Sequence, residues 1–408
     1  MKIVTTTVAA AMLASLGIAT FAAPVSSATA PARSQVNTWT TPTLQRQLTA
    51  PVTGTAQVKA PARPVSTAQA KKSKKKNRAY ISRSKLKGTW GVYKGPGEEA
   101  WVAYERSSGA KKKYLGYIAN KPKPRWMGAW IADNDIGRVT KAYIENSQQG
   151  NKNAWVQLTI FRMDPWYTES QRRAPTDQQV RSYKRWIDNS AKAIGNTKTI
   201  LVLQPDSTFL RGVPNFKKSS GLIKYAAKKY GALPNTRVYL ETGGWDWPAP
   251  GQGGAKEAAR LLQASGIKYA DGIATNTTHY NSTGKDIQRV AELVKIFNKR
   301  GIRGLKGVIN TSSNGKGFTF GNYTGPDPDH AFACKPGNLR GTCVTLGIPP
   351  TTNVAAAKWK LSKKSRRLAA KYVDGYMWIG RPWLYRQNIP FMEDRAVQLV
   401  KSSPFYKG

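Results

Sequence analysis

Residues 176–207 read TDQQVRSYKRWIDNSAKAIGNTKTILVLQPDS. Thr176, followed three residues later by Gln179, resembles a capping box, in which each side chain satisfies a backbone N–H that the first helical turn leaves without an acceptor. Val180, Tyr183, Ile187, Ala191 and Ile194 then recur at helical spacing before Gly195. A short apolar, β-rich run follows at 199–203, and it leads into Gln204-Pro205-Asp206-Ser207. The unit is therefore a capped helix, a strand, and a carboxylate just past the strand.

Working outward, the same alternation repeats. Candidate strands lie at 125–131, 154–161, 236–240, 272–275, 305–309 and 373–379, with helical patterns between most of them. Two of these patterns, 254–264 and 286–299, end near Gly266 and Gly301. Seven strands alternating with helices predict an α/β fold on a parallel sheet, either open or closed into a barrel. In both cases functional groups belong at the C-terminal ends of the strands.

Composition narrows the class. Hydrophobic residues make up 40% of the 408 and aromatic residues 10%, enough for a core, which excludes a wholly disordered chain. Two cysteines exclude a disulfide scaffold or a Cys-rich zinc module, and the two histidines, His279 and His330, leave little room for a His-based site. No metal and no cofactor are expected. No apolar run of bilayer length follows residue 30, so no internal membrane span is expected.

The N-terminus has the pattern of a secretory signal over residues 1–30: Lys2, an apolar run at 8–23, and small residues at Ala28 and Ala30. For an exported chain the reading predicts a Cys334–Cys343 disulfide closing a short loop, with two unpaired thiols as the alternative. Residues 31–88 are rich in Thr, Ala, Pro, Gln and Val and carry the block Lys71-Lys72-Ser73-Lys74-Lys75-Lys76, as expected of a disordered basic linker. Residues 1–88 hold fourteen Lys and Arg and no acid. Residues 89–408 therefore carry 51 bases against 22 acids, a charge of +29. That span has no visible linker and is expected to be one catalytic-sized domain. No nucleic-acid motif occurs, so the expected partner is a polysaccharide, including an anionic glycan or cell-wall polymer, bound by a monomer.

The strand ends supply the candidate site. Asp164 follows 154–161, Asp206 follows 199–203, and Glu241 closes 236–240 ahead of Thr242-Gly243-Gly244-Trp245-Asp246-Trp247. Asn276, Asn310 and Trp378 end the later strands, and Trp126 and Trp130 lie in the first. Carboxylates do acid–base work on glycosidic bonds, and indole faces stack on the apolar faces of sugar rings. Each residue also has a plainer reading: a tryptophan in the core, Asp206 as a turn residue, Glu241 as an anchor for the glycine-rich loop.

In order and spacing, these segments resemble glycoside hydrolase family 6, the endoglucanases and cellobiohydrolases. The resemblance runs through most of 113–385. Arg125-Trp126-Met127-Gly128-Ala129-Trp130 is similar to the family's first-strand KWFGDW, and Leu201 to Ser207 is similar to its VILEPDS. Val238-Tyr239-Leu240-Glu241 resembles VYLD with Glu for Asp, and Ile273 to Tyr280 resembles LATNVANY. Val308 to Gly315 is close to VIDTSRNG, and Val373 to Ile379 resembles VDAYLWVK. The resemblance implies a distorted, partly open parallel β/α barrel with about seven strands. It also implies inverting hydrolysis of β-1,4-glucan with Asp206 as general acid, and Asp164 beside it raising its pKa. Ser170 falls on a Ser that contacts the water or sugar at the cleavage point. Trp126, Glu241, Trp245, Asn276 and Trp378 are the expected substrate-binding residues.

Departures from the family pattern fall at several places. The family's closing KPPGESDG, whose acids bind sugar and supply the candidate base, is Gly380-Arg381-Pro382-Trp383-Leu384-Tyr385-Arg386-Gln387 here. The base position falls on Arg386. The family's His after YLDAG is missing, and its Tyr and Arg around Asp164 are Leu158 and Met163. Asp164, Glu241 and Asp246 stay open as the group that orients water. So does a pseudoenzyme that binds carbohydrate without cleaving it.

Overall fold

The computed structural model describes residues 86–163 and 173–408. The signal and linker readings, Asp164 and Ser170 lie outside the described residues. Seven strands run parallel in chain order: β1 (Arg125–Gly128), β2 (Val156–Phe161), β3 (Thr199–Leu203), β4 (Thr236–Glu241), β5 (Gly272–Thr275), β6 (Lys306–Asn310) and β7 (Val373–Met377). Each pairs with its neighbour in sequence, and β1 and β7 form the two edges, with Tyr376 of β7 bridged antiparallel to Thr351. The sheet curls into a barrel with one open seam, the architecture expected from the sequence.

The crossovers are α3 (Ile136–Gln148), α4 (Asp177–Ile194), α5 (Phe216–Gly231), α6 (Gly254–Ala264), α7 (Thr283–Lys299) and α8 (Lys363–Tyr372). Before β1 come α1 (Glu99–Arg106) and α2 (Gly109–Ala119). After β7 come a hairpin, β8 (Leu384–Tyr385) with β9 (Asn388–Phe391), and α9 (Glu393–Lys401). The capping box of α4 is present: Gln179 N–H donates to Thr176 Oγ1 at 3.2 Å, and Thr176 N–H to Gln179 Oε1 at 2.9 Å. Among the described residues no helix is long and apolar enough to cross a membrane.

Strand periodicity divides the core into two layers. Leu201 and Leu203 of β3 face outward and pack with Tyr183, Trp186 and Ile187 of α4. Ile200 and Val202 face inward with Trp126, Phe161, Tyr239, Val308 and Met377 and fill the barrel. A third cluster joins α1, α2 and α9 to Trp378 and Trp383.

Three strands are shorter than the sequence predicts, and β2 begins at Val156 rather than 154. β1 stops at Gly128 because the chain turns there, with Ile131 N–H donating to the Gly128 carbonyl. β7 stops at Met377 because the N–H groups of Ile379 and Gly380 donate to Asn310 Oδ1, at 2.9 and 3.1 Å, rather than to a ladder partner. The Cys334–Cys343 disulfide is formed, with Cα atoms 4.9 Å apart.

Candidate active site

The chain leaves β3 through two left-handed residues, Gln204 (φ 54°) and Asp206 (φ 59°), on either side of Pro205. Asp tolerates that conformation better than most residues. The turn leaves Asp206 half-buried, and Thr278 Oγ1 of the loop after β5 donates to its Oδ1 at 2.7 Å. Burial pushes the Asp206 carboxyl above the usual range, and the charge of Asp329 adds to this. The Thr278 hydrogen bond and His279 oppose it without cancelling it.

Glu241, the last residue of β4, is buried beside it. Glu241 Oε1 accepts from Gly243 N–H at 2.7 Å and Thr277 Oγ1 at 3.0 Å, and its Oε2 accepts from Ser207 N–H at 3.3 Å. Burial first, and the negative charge of Asp206 second, push Glu241 up to about 8 against those donors. Two carboxyls in one low-dielectric corner cannot both ionise cheaply, so the pair holds at least one proton near neutral pH.

The loop after Glu241 requires glycine. Gly243 has φ +72°, and a Cβ there would lie 2.2 Å from the Trp247 carbonyl oxygen and 2.8 Å from Thr208 Oγ1. Gly243→Ala is expected to cost about 2 kcal/mol or more, because backbone rather than a side-chain end must move. Urea denaturation measures this, and an unchanged midpoint would show the loop to be loosely held.

Beyond Gly243 the loop carries a second polar cluster. Asp246 Oδ1 accepts from Asn281 Nδ2 at 2.5 Å and lies 2.7 Å from His279 Nδ1, and its Oδ2 accepts from Phe320 N–H at 2.7 Å. Burial would raise Asp246, but the His279 contact and these donors bring it to about 2. Asp286, buried below, accepts from Trp245 N–H at 3.1 Å; burial and the charge of Asp246 push it the other way. The His279 ring is stacked between Trp247 (centroids 5.2 Å apart) and Phe320 (4.7 Å), and Phe209 packs edge-on against Trp247.

The structure separates the sequence-predicted residues. Asp206 and Glu241 come together. Trp245 is partly exposed, with the Arg289 guanidinium 5.4 Å from its ring centre. Three residues take structural positions instead. Trp378 has no exposed surface: its Nε1 donates to the Ile348 carbonyl, and it packs against Tyr117 and Trp383, so it offers no face to a sugar. Asn276 is fully buried, its amide donating to the Asn281 and Asn310 carbonyls and accepting from Asn281 N–H, which ties the β5 and β6 loops together. Trp126 is almost fully buried, with Nε1 donating to the Ile379 carbonyl at 2.8 Å.

Packing explains the divergent 380–387 segment. A side chain at Gly380 would meet the Thr277 carbonyl at 2.6 Å and Gln387 Oε1 at 2.7 Å. Gln387 fills the space, donating to the Thr278 carbonyl at 3.1 Å. Arg386 pairs with Asp327 at 2.6 Å, and its N–H donates to His330 Nδ1. Sequence reading missed Thr277, Thr278, Trp247 and Asp286 as site-forming groups. His279, one of two histidines, was the legible signal among their neighbours.

The curled parallel sheet carries paired carboxyls at its strand ends, and the model of glycosyl hydrolases family 6 matches residues 92–358. The chain belongs to that family. Endoglucanase A of Cellulomonas fimi is 28% identical over 231 residues, 56% of this chain and 48% of that protein, so the chain spans about half of that relative's length. Endoglucanase 1 of Streptomyces halstedii is 26% identical over 236 residues, 56% of this chain and 70% of that one. Among solved structures, the endoglucanase Cel6 of Mycobacterium tuberculosis shares the fold at TM-score 0.60 and 21% identity, covering 78% of this chain and 98% of that one.

Proposed function

We propose that the protein is a secreted glycoside hydrolase that cleaves β-1,4-glycosidic bonds of a polysaccharide with inversion. The observation that carries this is Asp206, turned out of the end of β3 with its carboxyl held toward the protonated form beside a second buried carboxyl. Protonated Asp206 gives its hydrogen to the departing glycosidic oxygen. The C1–O bond breaks with its electron pair on that oxygen, and water attacks C1 from the opposite face. Relatives and fold neighbours support the substrate class: the Mycobacterium tuberculosis Cel6 structure is a complex with methyl-cellobiosyl-4-deoxy-4-thio-β-D-cellobioside.

Of the three candidates for orienting water, Glu241 is occupied by three donors, and Asp246, held at about 2, is a weak base. Asp164 keeps the role, together with that of modulating Asp206, and Ser170 keeps its place near the water. Trp245 and Trp247, both partly exposed beside Asp246, are the sugar platforms this reading favours. Export of the chain fits the Cys334–Cys343 disulfide and the signal-like residues 1–30.

The test is turnover. Purified protein is incubated with neutral and acidic β-1,4-glycans, new reducing ends are counted, and the first-formed anomer is read by NMR. The α-anomer is expected. A β-anomer would overturn inversion, and no reducing ends with any glycan would overturn the hydrolase. The Arg386–Asp327 pair, where the family has its candidate base, favours one second reading: a carbohydrate-binding pseudoenzyme. Binding without cleavage, unchanged by Asp206→Asn, would support it.

A further inference from the structure

The two arginines of the divergent segment do different things. Arg386 is neutralised by Asp327 at 2.6 Å. Arg381 has no such partner: no ion pair joins it to a carboxylate among the described residues, its backbone N–H donates to Gln387 Oε1 and its carbonyl accepts from Leu384 N–H, and its Nε is buried without an acceptor. The guanidinium lies over the Trp126 ring, 5.1 Å from the centroid.

Its position matters. Trp126 belongs to β1 and Arg381 follows β7, the two edge strands of the sheet, and the Trp126 Nε1 bond to Ile379 spans that seam. Charge around Arg381 leaves it under-compensated. Lys123 takes Glu98 at 3.7 Å, and Arg125 adds a third cation to the same corner. Burial, then Glu98, push the Glu99 carboxyl upward while the charges of Arg381 and Arg125 oppose this, so three cations share two acids in this corner. A guanidinium seated over an indole, with a buried donor unfilled, is preorganised for an oxyanion.

We propose that Arg381, seated on Trp126 at the β1–β7 seam, is an anion subsite that reads the carboxylate of a uronic-acid residue in a β-1,4-linked glycan. A guanidinium fork matches one carboxylate in charge and shape. The charge of +29 on residues 89–408 concentrates such chains near the protein but does not select among acidic groups; the fork does. This inference rests on the reading of the barrel as a β-1,4-glycan site.

The test compares β-1,4-linked glucuronic acid oligosaccharides with neutral cello-oligosaccharides of equal length, in wild type, Arg381→Gln and Arg386→Gln. Binding is measured by calorimetry in an Asp206→Asn background and turnover in the active one. Arg381→Gln is expected to weaken the acidic ligand about tenfold, as for loss of one charge-assisted pair, and to leave the neutral one unchanged. Arg386→Gln should change neither ratio. Equal acid-to-neutral ratios in wild type and Arg381→Gln would overturn the inference. A Tm that falls by several degrees with no change in ratio would make Arg381 a structural counter-ion and overturn it too. A sulfated cello-oligosaccharide that binds as well as the uronate, with the same Arg381 dependence, would overturn the choice of carboxylate. Binding is read without turnover, so a protein that never cleaves fails the hydrolase test and still shows whether Arg381 selects the acidic ligand.

Discussion

Asp206→Asn is expected to lower turnover of a β-1,4-glycan about 10³-fold, within the range for loss of a positioned proton donor. Asparagine keeps the shape and can still accept from Thr278 Oγ1, so the turn after β3 and the fold should survive. It has no acidic proton, so the leaving oxygen must depart as an alkoxide. An aryl glycoside whose leaving group is already acidic needs little protonation. On that substrate the variant should retain most of the wild-type rate of bond cleavage. The contrast separates an acid from a mere binding residue, because a binding defect would slow both substrates alike. The alkaline limb of the kcat/KM profile should also disappear, since it reports loss of the proton from Asp206. Equal losses on both substrates, or an unchanged limb, would remove Asp206 from the role.

Replacing Glu241 by Gln is expected to change how stability depends on pH. Its folded pKa is raised to about 8, whereas the unfolded chain ionises it near 4.5. The favourable term is therefore complete below pH 4.5 and is lost as pH rises toward 8. Between those values the unfolded state sheds a proton that the folded state keeps, so stability falls by about 1.4 kcal/mol per pH unit from this group. The total is of order a few kcal/mol, large against the 5–15 kcal/mol margin typical of a domain. Glutamine is neutral throughout, so Glu241→Gln should flatten the curve across this window and overtake wild type near its upper end. At pH 4 it should be slightly less stable, because one amide N–H would face the Ser207 N–H that Oε2 now accepts. Chemical denaturation at half-unit steps gives the curve. Parallel slopes in the two proteins would mean that Glu241 is already ionised in the folded state.

Both predictions centre on a corner that was only half legible in the sequence. Asp206 and Glu241 stand at strand ends, and strand ends follow from apolar runs that are plain in the chain. Their coupling was not visible, because 34 positions separate Ser207 from Glu241, whose side chain accepts its N–H. The tryptophans show the limit more sharply. Trp126, Trp245, Trp247 and Trp378 look alike as letters near strand ends. In the structure Trp378 is sealed between α1–α2 and α9, Trp126 carries an arginine, and only Trp245 and Trp247 keep partly exposed surface. Asn276 was similarly ambiguous until its amide was seen to hydrogen-bond two loops.

Local patterns settled the elements. The capping box of α4, the seven apolar runs and the order of strand and helix are written in near neighbours, so the parallel sheet and the carboxylate at the end of β3 follow from the chain alone, and the partly open barrel from the family resemblance. Burial and charge pairing are sums over residues that are distant in sequence and become neighbours only when the sheet curls. Only the tertiary structure could decide that Glu241 is driven toward its proton, that Arg386 is paired with Asp327, and that Arg381 at the seam has no ion-pair partner among the described residues.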